Sequence, residues 1–216
     1  DMVVCPTHAM LRCLETQYAG AIKLARVVSN GRDRALFRHG AKEPFILSVG
    51  RLWDEAKNLR TLEQAAARLP WPVYAAGDEQ HPGGGTRKWG EVRRLGKLNA
   101  AMLANHYARA AIYTLPALYE PFGLSVLEAA WSGCALVLGD IPSLRENWEG
   151  AAVFVPPRDA GRLAAAIEEL IESPLARARW SNAARVRARS FTPERMAAGY
   201  RAAYAAVSHR EALCAS

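Results

Sequence analysis

Residues Ala111 to Gly139 read AIYTLPALYEPFGLSVLEAAWSGCALVLG. An apolar run, Ala111–Leu115, stops at Pro116. A turn follows that carries Glu120 between Tyr119 and Pro121-Phe122-Gly123. The stretch Leu124–Trp131 then has helical character, and a second apolar run, Ala135–Leu138, stops at Gly139. Short runs that are apolar throughout, bounded by Gly or Pro and separated by a helix, are the mark of strands buried on both faces. Such strands lie parallel with a crossover helix between them.

The pattern extends outward in both directions. Phe45–Val49, Val73–Ala76, Val92–Leu95 and Ala152–Val155 are further strand candidates, followed by Gly50, Gly77, Gly96 and Pro156. Ser173-Pro174 and Thr192-Pro193 pair an N-cap with Pro at the first helical position. Asp159 is an N-cap for the alanine-rich helix through Leu170, and Leu98–Arg109, Leu175–Arg189 and Thr192–Val207 complete the helices expected. The fold class that follows is α/β, a Rossmann-like doubly wound parallel sheet. Ligands gather at the carboxyl ends of strands in such sheets, and Arg51, Asp78, Lys97, Glu120 and Asp140 fall at those ends. Residues Asp1–Arg38 differ: strands at Met2–Cys5 and Leu24–Val28 flank a helix near Ala9–Tyr18, and Asn30-Gly31 signals a turn.

Composition narrows the function classes. Half of the 216 residues are apolar, and no apolar run reaches the ~18 residues of a membrane span. No signal peptide is visible at Asp1, and a chain that opens on an apolar run without Met reads as a fragment. The net charge of +7 suits phosphorylated ligands, nucleic acid or an anionic membrane. Arg177, Arg179, Arg185, Arg187, Arg189, Arg195 and Arg201 cluster late in the chain and read as the solvated face of helices, with weak membrane-surface contact as the sharper alternative. Aromatic residues do not interleave with them as in a single-strand binder, so nucleic acid is not an expected partner. Cys5, Cys13, Cys134 and Cys214 form no metal-ligand spacing, and Cys134 reads as a buried small hydrophobe. A reducing, cytoplasmic setting is expected, at the inner face of the membrane if the arginines make that contact. The five histidines have no Ser or Cys partner at a recognisable spacing, and no metal site is expected.

The chemistry concentrates on two segments. The start of the helix at Leu124 offers unpaired amides and a positive dipole end that suit a phosphate. Glu120 and Glu128 beside it would repel a phosphate but accept hydrogen bonds from hydroxyls attached to one, which suits a sugar joined to a nucleoside diphosphate. Ser125-Val126-Leu127-Glu128 also fits a capping box, which leaves Glu128 with two readings, while Glu120 in its turn has only loop solvation as a rival. In Gly50–Asn58, Arg51 and Lys57 could neutralise a diphosphate, Arg by a forked contact and Lys as a point charge; the other reading is a surface loop in which Asp54 and Glu55 pair them. Pro82-Gly83-Gly84-Gly85 lacks the spacing of either common phosphate-binding glycine motif and reads as a loop.

These segments together resemble the C-terminal half of a GT-B fold retaining glycosyltransferase of the large family-four group (glycosyl transferases group 1). Phe45–Leu52 with Lys57-Asn58 is similar to its V-G-R-L…K-[GN] segment, and Glu120–Glu128 matches its E-x7-E motif. Ser132–Gly139 resembles the G-x-P-V-V strand, with Ala135 in place of Pro. Asp140–Glu146 leading to Gly150–Pro157, and Asn30 within a V-x-N-G segment, extend the likeness over essentially the whole chain. The resemblance implies three parts: residues 1–40 as the remnant of an N-terminal domain and linker, 41–190 as a nucleotide-sugar-binding Rossmann-like domain, and 191–216 as a helix crossing back to the N-terminal domain. It implies that Arg51 and Lys57 hold the donor diphosphate, that Glu120 is catalytic and binds the transferred sugar, and that Phe122, Gly123, Leu124 and Ser125 meet sugar and phosphate. Glu128 would bind ribose hydroxyls and Lys97 would flank the base.

The donor implied is a UDP-, GDP- or ADP-sugar and the acceptor a glycan, lipid or small molecule. Transfer would proceed with retention and without metal or cofactor. The acceptor-binding domain would lie outside this chain, which alone would bind donor but hardly turn over, and the last helix would expose an apolar face for self-association. Gly77-Asp78-Glu79 departs from the family's G-x-G. Rival readings are a non-catalytic nucleotide-sugar-binding module, or another GT-B enzyme such as an epimerase or phosphorylase.

Overall fold

The computed structural model describes residues 1–80 and 90–214, with side chains through Ser208. The Pro82–Gly85 stretch lies outside the described residues. In chain order the elements are β1 (Val3–Cys5), α1 (His8–Gln17), β2 (Ala25–Val27), β3 (Glu43–Val49), α2 (Leu59–Ala66), β4 (Val73–Ala76), β5 (Arg93–Gly96), α3 (Ala100–Arg109) and β6 (Ala110–Leu115). There follow α4 (Leu124–Trp131), β7 (Ala135–Gly139), α5 (Pro142–Trp148), β8 (Val153–Val155), α6 (Ala160–Glu172), α7 (Pro174–Ala188) and α8 (Pro193–Cys214). β3 to β8 form one six-stranded parallel sheet in the order β5-β4-β3-β6-β7-β8.

Alternation along the strands builds two cores. Successive strand residues point to opposite faces. Leu47, Tyr113 and Leu136 therefore enter one apolar cluster with Leu127 and Trp148, while their neighbours Ile46, Ile112 and Val137 enter the other with Leu62 and Ile167. Strands apolar on both sides are what a sheet covered by helices on both faces requires, so the doubly wound expectation holds. Trp148 is fully buried, and its ring lies 5.7 Å from that of Phe191, which meets Phe122 edge-on at 5.3 Å. Truncation of such a side chain costs about 3–5 kcal/mol.

Two helices were not anticipated. α2 has no side-chain cap: it is preceded by Asn58 in the left-handed region at φ 55°. α5 starts with Pro142 behind Ile141 and also lacks a side-chain cap. The late arginines depart from a merely solvated face. Arg177 donates to the carbonyls of Leu170 and Ile171 at the end of α6, and Arg187 donates to the carbonyls of Asn147 and Glu146 at the end of α5. These guanidinium groups close helix C-termini that would otherwise keep unpaired acceptors.

β1 and β2 pair in parallel as a separate two-stranded sheet with α1 between them. This unit sits on the main sheet's helices through Glu146 of α5, whose carboxylate accepts from the amides of His8 and Ala9, both at 2.8 Å. The Thr7 hydroxyl donates to the Pro121 carbonyl at 3.0 Å. α8 returns across the following segment. The Gly31 amide faces Met196 Sδ at 3.3 Å, and Gly199 packs on Val28 closely enough that a Cβ there would lie 2.7 Å from a Val28 methyl. Among the described residues no helix is long and apolar enough to cross a membrane.

Candidate functional site

The strand order changes direction beside β3: the chain moves from β3 outward to β4 and β5, then returns through α3 to place β6 on the other side of β3. The carboxyl ends of β3 and β6 therefore open a crevice, the place where doubly wound sheets take ligands. Two loops border it, Gly50–Asn58 after β3 and Pro116–Gly123 after β6. They are joined to each other. The Leu118 amide donates to the Ala56 carbonyl at 2.8 Å, and the Asn58 side-chain amide donates to the carbonyls of Pro116 at 2.8 Å and Pro157 at 2.5 Å. The left-handed backbone at Asn58 aims that side chain inward, a conformation asparagine tolerates better than most residues.

Lys57 and Glu120 meet in this crevice. Lys57 Nζ donates to Glu120 Oε2 at 2.6 Å, with both side chains mostly shielded from solvent (13% and 12% exposed). The other carboxylate oxygen, Oε1, accepts from the Gly123 amide at 3.0 Å and more weakly from the Phe122 amide at 3.4 Å. Gly123 precedes α4 at φ 90°, and a Cβ there would press on Val126 at 3.0 Å, so the turn needs glycine. The main chain of the turn is fixed too: Ser143 donates to the Glu120 carbonyl at 2.5 Å. An ammonium and helix-start amides thus converge on one point, and an internal carboxylate fills it.

Arg51 stands at the rim. It is exposed, forks onto Asp54 through Nε at 3.1 Å and Nη2 at 2.6 Å, and stacks on Trp53 at 5.4 Å. Burial pushes the Asp54 carboxyl up, but Arg51 and the Ala56 amide outweigh it and hold the group below its ordinary range. Of the two cation readings of this loop, Arg51 follows the paired one with Asp54, while Lys57 turns to Glu120 instead of to Glu55. Lys97 lies apart, exposed at the end of the edge strand β5, and among the described residues it is linked to the crevice through backbone: the Gly77 amide donates to the Gly96 carbonyl at 2.9 Å, and Gly77 abuts Gly50.

Glu128 is on the second turn of α4, 8% exposed, and Arg32 Nε lies 3.0 Å from its Oε1. Arg32 Nε has no hydrogen-bond partner, and the contact is an ion pair. Burial raises the Glu128 carboxyl above its ordinary range and Arg32 opposes that rise. The capping box is not formed. The helix begins at Leu124, so Ser125 stands inside the first turn and makes no cap bond. Ser125 Oγ instead accepts from the buried Tyr113 hydroxyl at 2.8 Å. Leu124 is exposed on the crevice side of the helix start, whereas the Phe122 ring is in the core; of Phe122 only the backbone is available to a ligand.

Arg32 and Tyr113 were missed in the sequence. Arg32 follows the Asn30-Gly31 turn directly, which is its only signal. Among the described residues no group of three or more His, Cys, Asp or Glu comes together as a metal site, and Cys5, Cys13 and Cys134 are free thiols. Cys134 is buried, as expected, and its Sγ donates to the carbonyls of Tyr107 and Ala110.

A family model described as "Glycosyl transferases group 1" matches residues 30–187. A glycogen synthase of Mycobacterium tuberculosis is 33% identical over 188 residues, an alignment covering 74% of this chain and 43% of that protein. The sucrose-phosphate synthase of Thermosynechococcus elongatus superposes over 100% of this chain and 59% of its own at a TM-score of 0.82 with 25% identity. The Anabaena protein HepE, solved in complex with UDP and glucose, superposes over 96% of this chain and 62% of its own at 0.79 with 18% identity. The chain thus spans less than two thirds of the length of each of these relatives. On the family match over most of its length, this chain belongs to the glycosyl transferases group 1 family of GT-B glycosyltransferases.

Proposed function

We propose that this chain is the donor-binding domain of a retaining, metal-independent glycosyltransferase that uses a nucleoside diphosphate sugar. One observation carries the reading: an ammonium, Lys57, and a carboxylate, Glu120, stand 2.6 Å apart at the start of α4. A sugar diphosphate presents the complementary pair, an anionic phosphoryl group beside neutral hydroxyls. On arrival of donor, the diphosphate takes Lys57 and the amides of Gly123 and Leu124, and Arg51 leaves Asp54 to fork onto it. Glu120, released from Lys57, accepts hydrogen bonds from the transferred sugar.

Ser125 supports the phosphate, Glu128 takes the ribose hydroxyls with Arg32 behind it, and the edge at Lys97 flanks the base. Charge developing on the departing diphosphate is met by two cations and the positive end of a helix, groups already oriented before reaction. The acceptor would be held by a preceding domain, to which residues 1–40 and α8 connect. The UDP and glucose bound by HepE support a nucleotide-sugar donor.

The test is calorimetric titration of the full-length protein with UDP, GDP and ADP, then with the matching sugar nucleotides. Selective binding of one diphosphate, tightened by the attached sugar, is the expected result. Absence of binding to all three overturns the reading.

A further inference from the structure

On the far side of α4 from the crevice, α7 and the segment after β2 enclose a second cavity of about 370 Å³. Arg34, Arg38, Arg185 and Arg189 line it, together with Phe37, His39 and Trp131. No carboxylate lines it, and among the described residues none of the four guanidinium groups is ion-paired. Of the neighbouring acids, Asp33 caps the Ala35 amide at 2.8 Å and Glu128 pairs with Arg32. Four like charges around one hollow repel each other without a counter-charge. The field is felt by His39: burial first, then Lys42 and Arg185, push its imidazole below the usual range.

Four guanidinium groups with no carboxylate among the lining residues leave the cavity without the counter-charge that would satisfy them. Guanidinium forks match phosphoryl oxygens in particular. The volume suits a small metabolite or a single headgroup and not a polymer. α4 separates the two sites: it runs eight residues from Leu124 at the crevice to Trp131 at the cavity, about 12 Å of helix.

We propose that this cavity binds a phosphoryl anion carrying two or more charges, at a site distinct from the donor crevice. The anion is either a free phosphorylated metabolite or the headgroup of an anionic lipid, and both present the same chemistry to the arginines.

Inorganic pyrophosphate is the probe. Because it could also enter the donor crevice, the comparison is made in full-length Lys57→Ala protein, with and without Arg38→Gln and Arg189→Gln. Both arginines are exposed, so their replacement leaves the core untouched, and an unchanged unfolding temperature verifies this. Lys57→Ala protein should bind pyrophosphate, and the added pair of substitutions should weaken binding roughly a hundredfold, about tenfold per guanidinium lost. Equal affinity in the two proteins overturns the proposal, as does no binding in the first. Sedimentation with phosphatidylcholine vesicles doped with phosphatidylglycerol identifies the source: co-sedimentation lost with Arg38 and Arg189 assigns a lipid headgroup, and pyrophosphate binding without it assigns a free metabolite. In protein with Lys57 intact, Arg38→Gln and Arg189→Gln should leave nucleoside diphosphate affinity unchanged, so this site and the donor reading succeed or fail separately.

Discussion

Lys57 and Glu120, sixty-three positions apart in the chain, form a 2.6 Å ion pair that occupies the anion-binding end of the crevice. Glu120 is therefore an internal competitor of the donor diphosphate as well as the proposed sugar ligand. Glu120→Ala should lower transfer by at least about a hundredfold, the scale of losing a charge-stabilising contact in a transition state. The same substitution should tighten nucleoside diphosphate binding by roughly two- to fivefold, since an ion pair worth a net ~0.5–1 kcal/mol no longer competes. Calorimetry on wild type and variant measures the second effect, and weaker binding in the variant would refute internal competition.

The two cations should not contribute equally. Lys57 is shielded and faces the helix start, whereas Arg51 is exposed and held by Asp54. Lys57→Ala should weaken nucleoside diphosphate about tenfold or more while leaving nucleoside affinity alone; Arg51→Ala should cost only a few-fold, because Arg51 must first give up Asp54. Parallel titrations with nucleoside and diphosphate separate the cases. Equal losses for both ligands in Lys57→Ala would remove the diphosphate assignment.

Glu128 supplies a pH signature. Burial raises its carboxyl above the ordinary range despite Arg32, so the folded protein holds this proton more tightly than the unfolded chain does. That contribution to stability is fully present below the unfolded value and is lost as pH rises through the raised one. The stability of wild type relative to Glu128→Gln should therefore fall as pH climbs from the ordinary carboxylate range through that window. Urea unfolding of both proteins across pH gives the difference directly; a flat or rising difference contradicts the assignment.

Ser125 is structural as well as accessible. Its Oγ accepts from Tyr113, whose hydroxyl is buried and whose only other acceptor among the described residues is the Val49 carbonyl at 3.4 Å. Ser125→Ala should cost about 1 kcal/mol of stability even without ligand, and Tyr113→Phe combined with it should cost little more. A double-mutant cycle by chemical denaturation reads the coupling, and additive costs would show that the hydrogen bond contributes nothing.

Most of the sheet was legible because buried parallel strands are apolar throughout and end in Gly or Pro; the expected Val73–Ala76 strand and Leu124–Trp131 helix match the observed bounds. α2 and α5 escaped because both start without a side-chain cap, one behind a left-handed Asn58 and one behind Ile141. The capping-box reading of Ser125 failed for the opposite reason: the signature is there, but Gly123 takes the helix start upstream of it. The Lys57–Glu120 pair depends on β3 and β6 being neighbours, a fact of topology that no local pattern carries. Arg32 reaches Glu128 only because the segment after β2 folds back along α4.

The contact between Gly77 and Gly50 bears on how variants of this protein should be interpreted. A Cβ at Gly77 would fall 1.7 Å from the Gly50 carbonyl oxygen, at a backbone φ of 146°. No side chain fits, so any replacement must displace the loop that carries Arg51 and Lys57. A screen that scores only product formation would rank position 77 alongside Glu120 and suggest a reacting group where there is none. Position 77 sets the distance between two loops, and its variants should be recognised by lost donor affinity together with a lowered unfolding temperature, the reverse of what removal of Glu120 should do to binding.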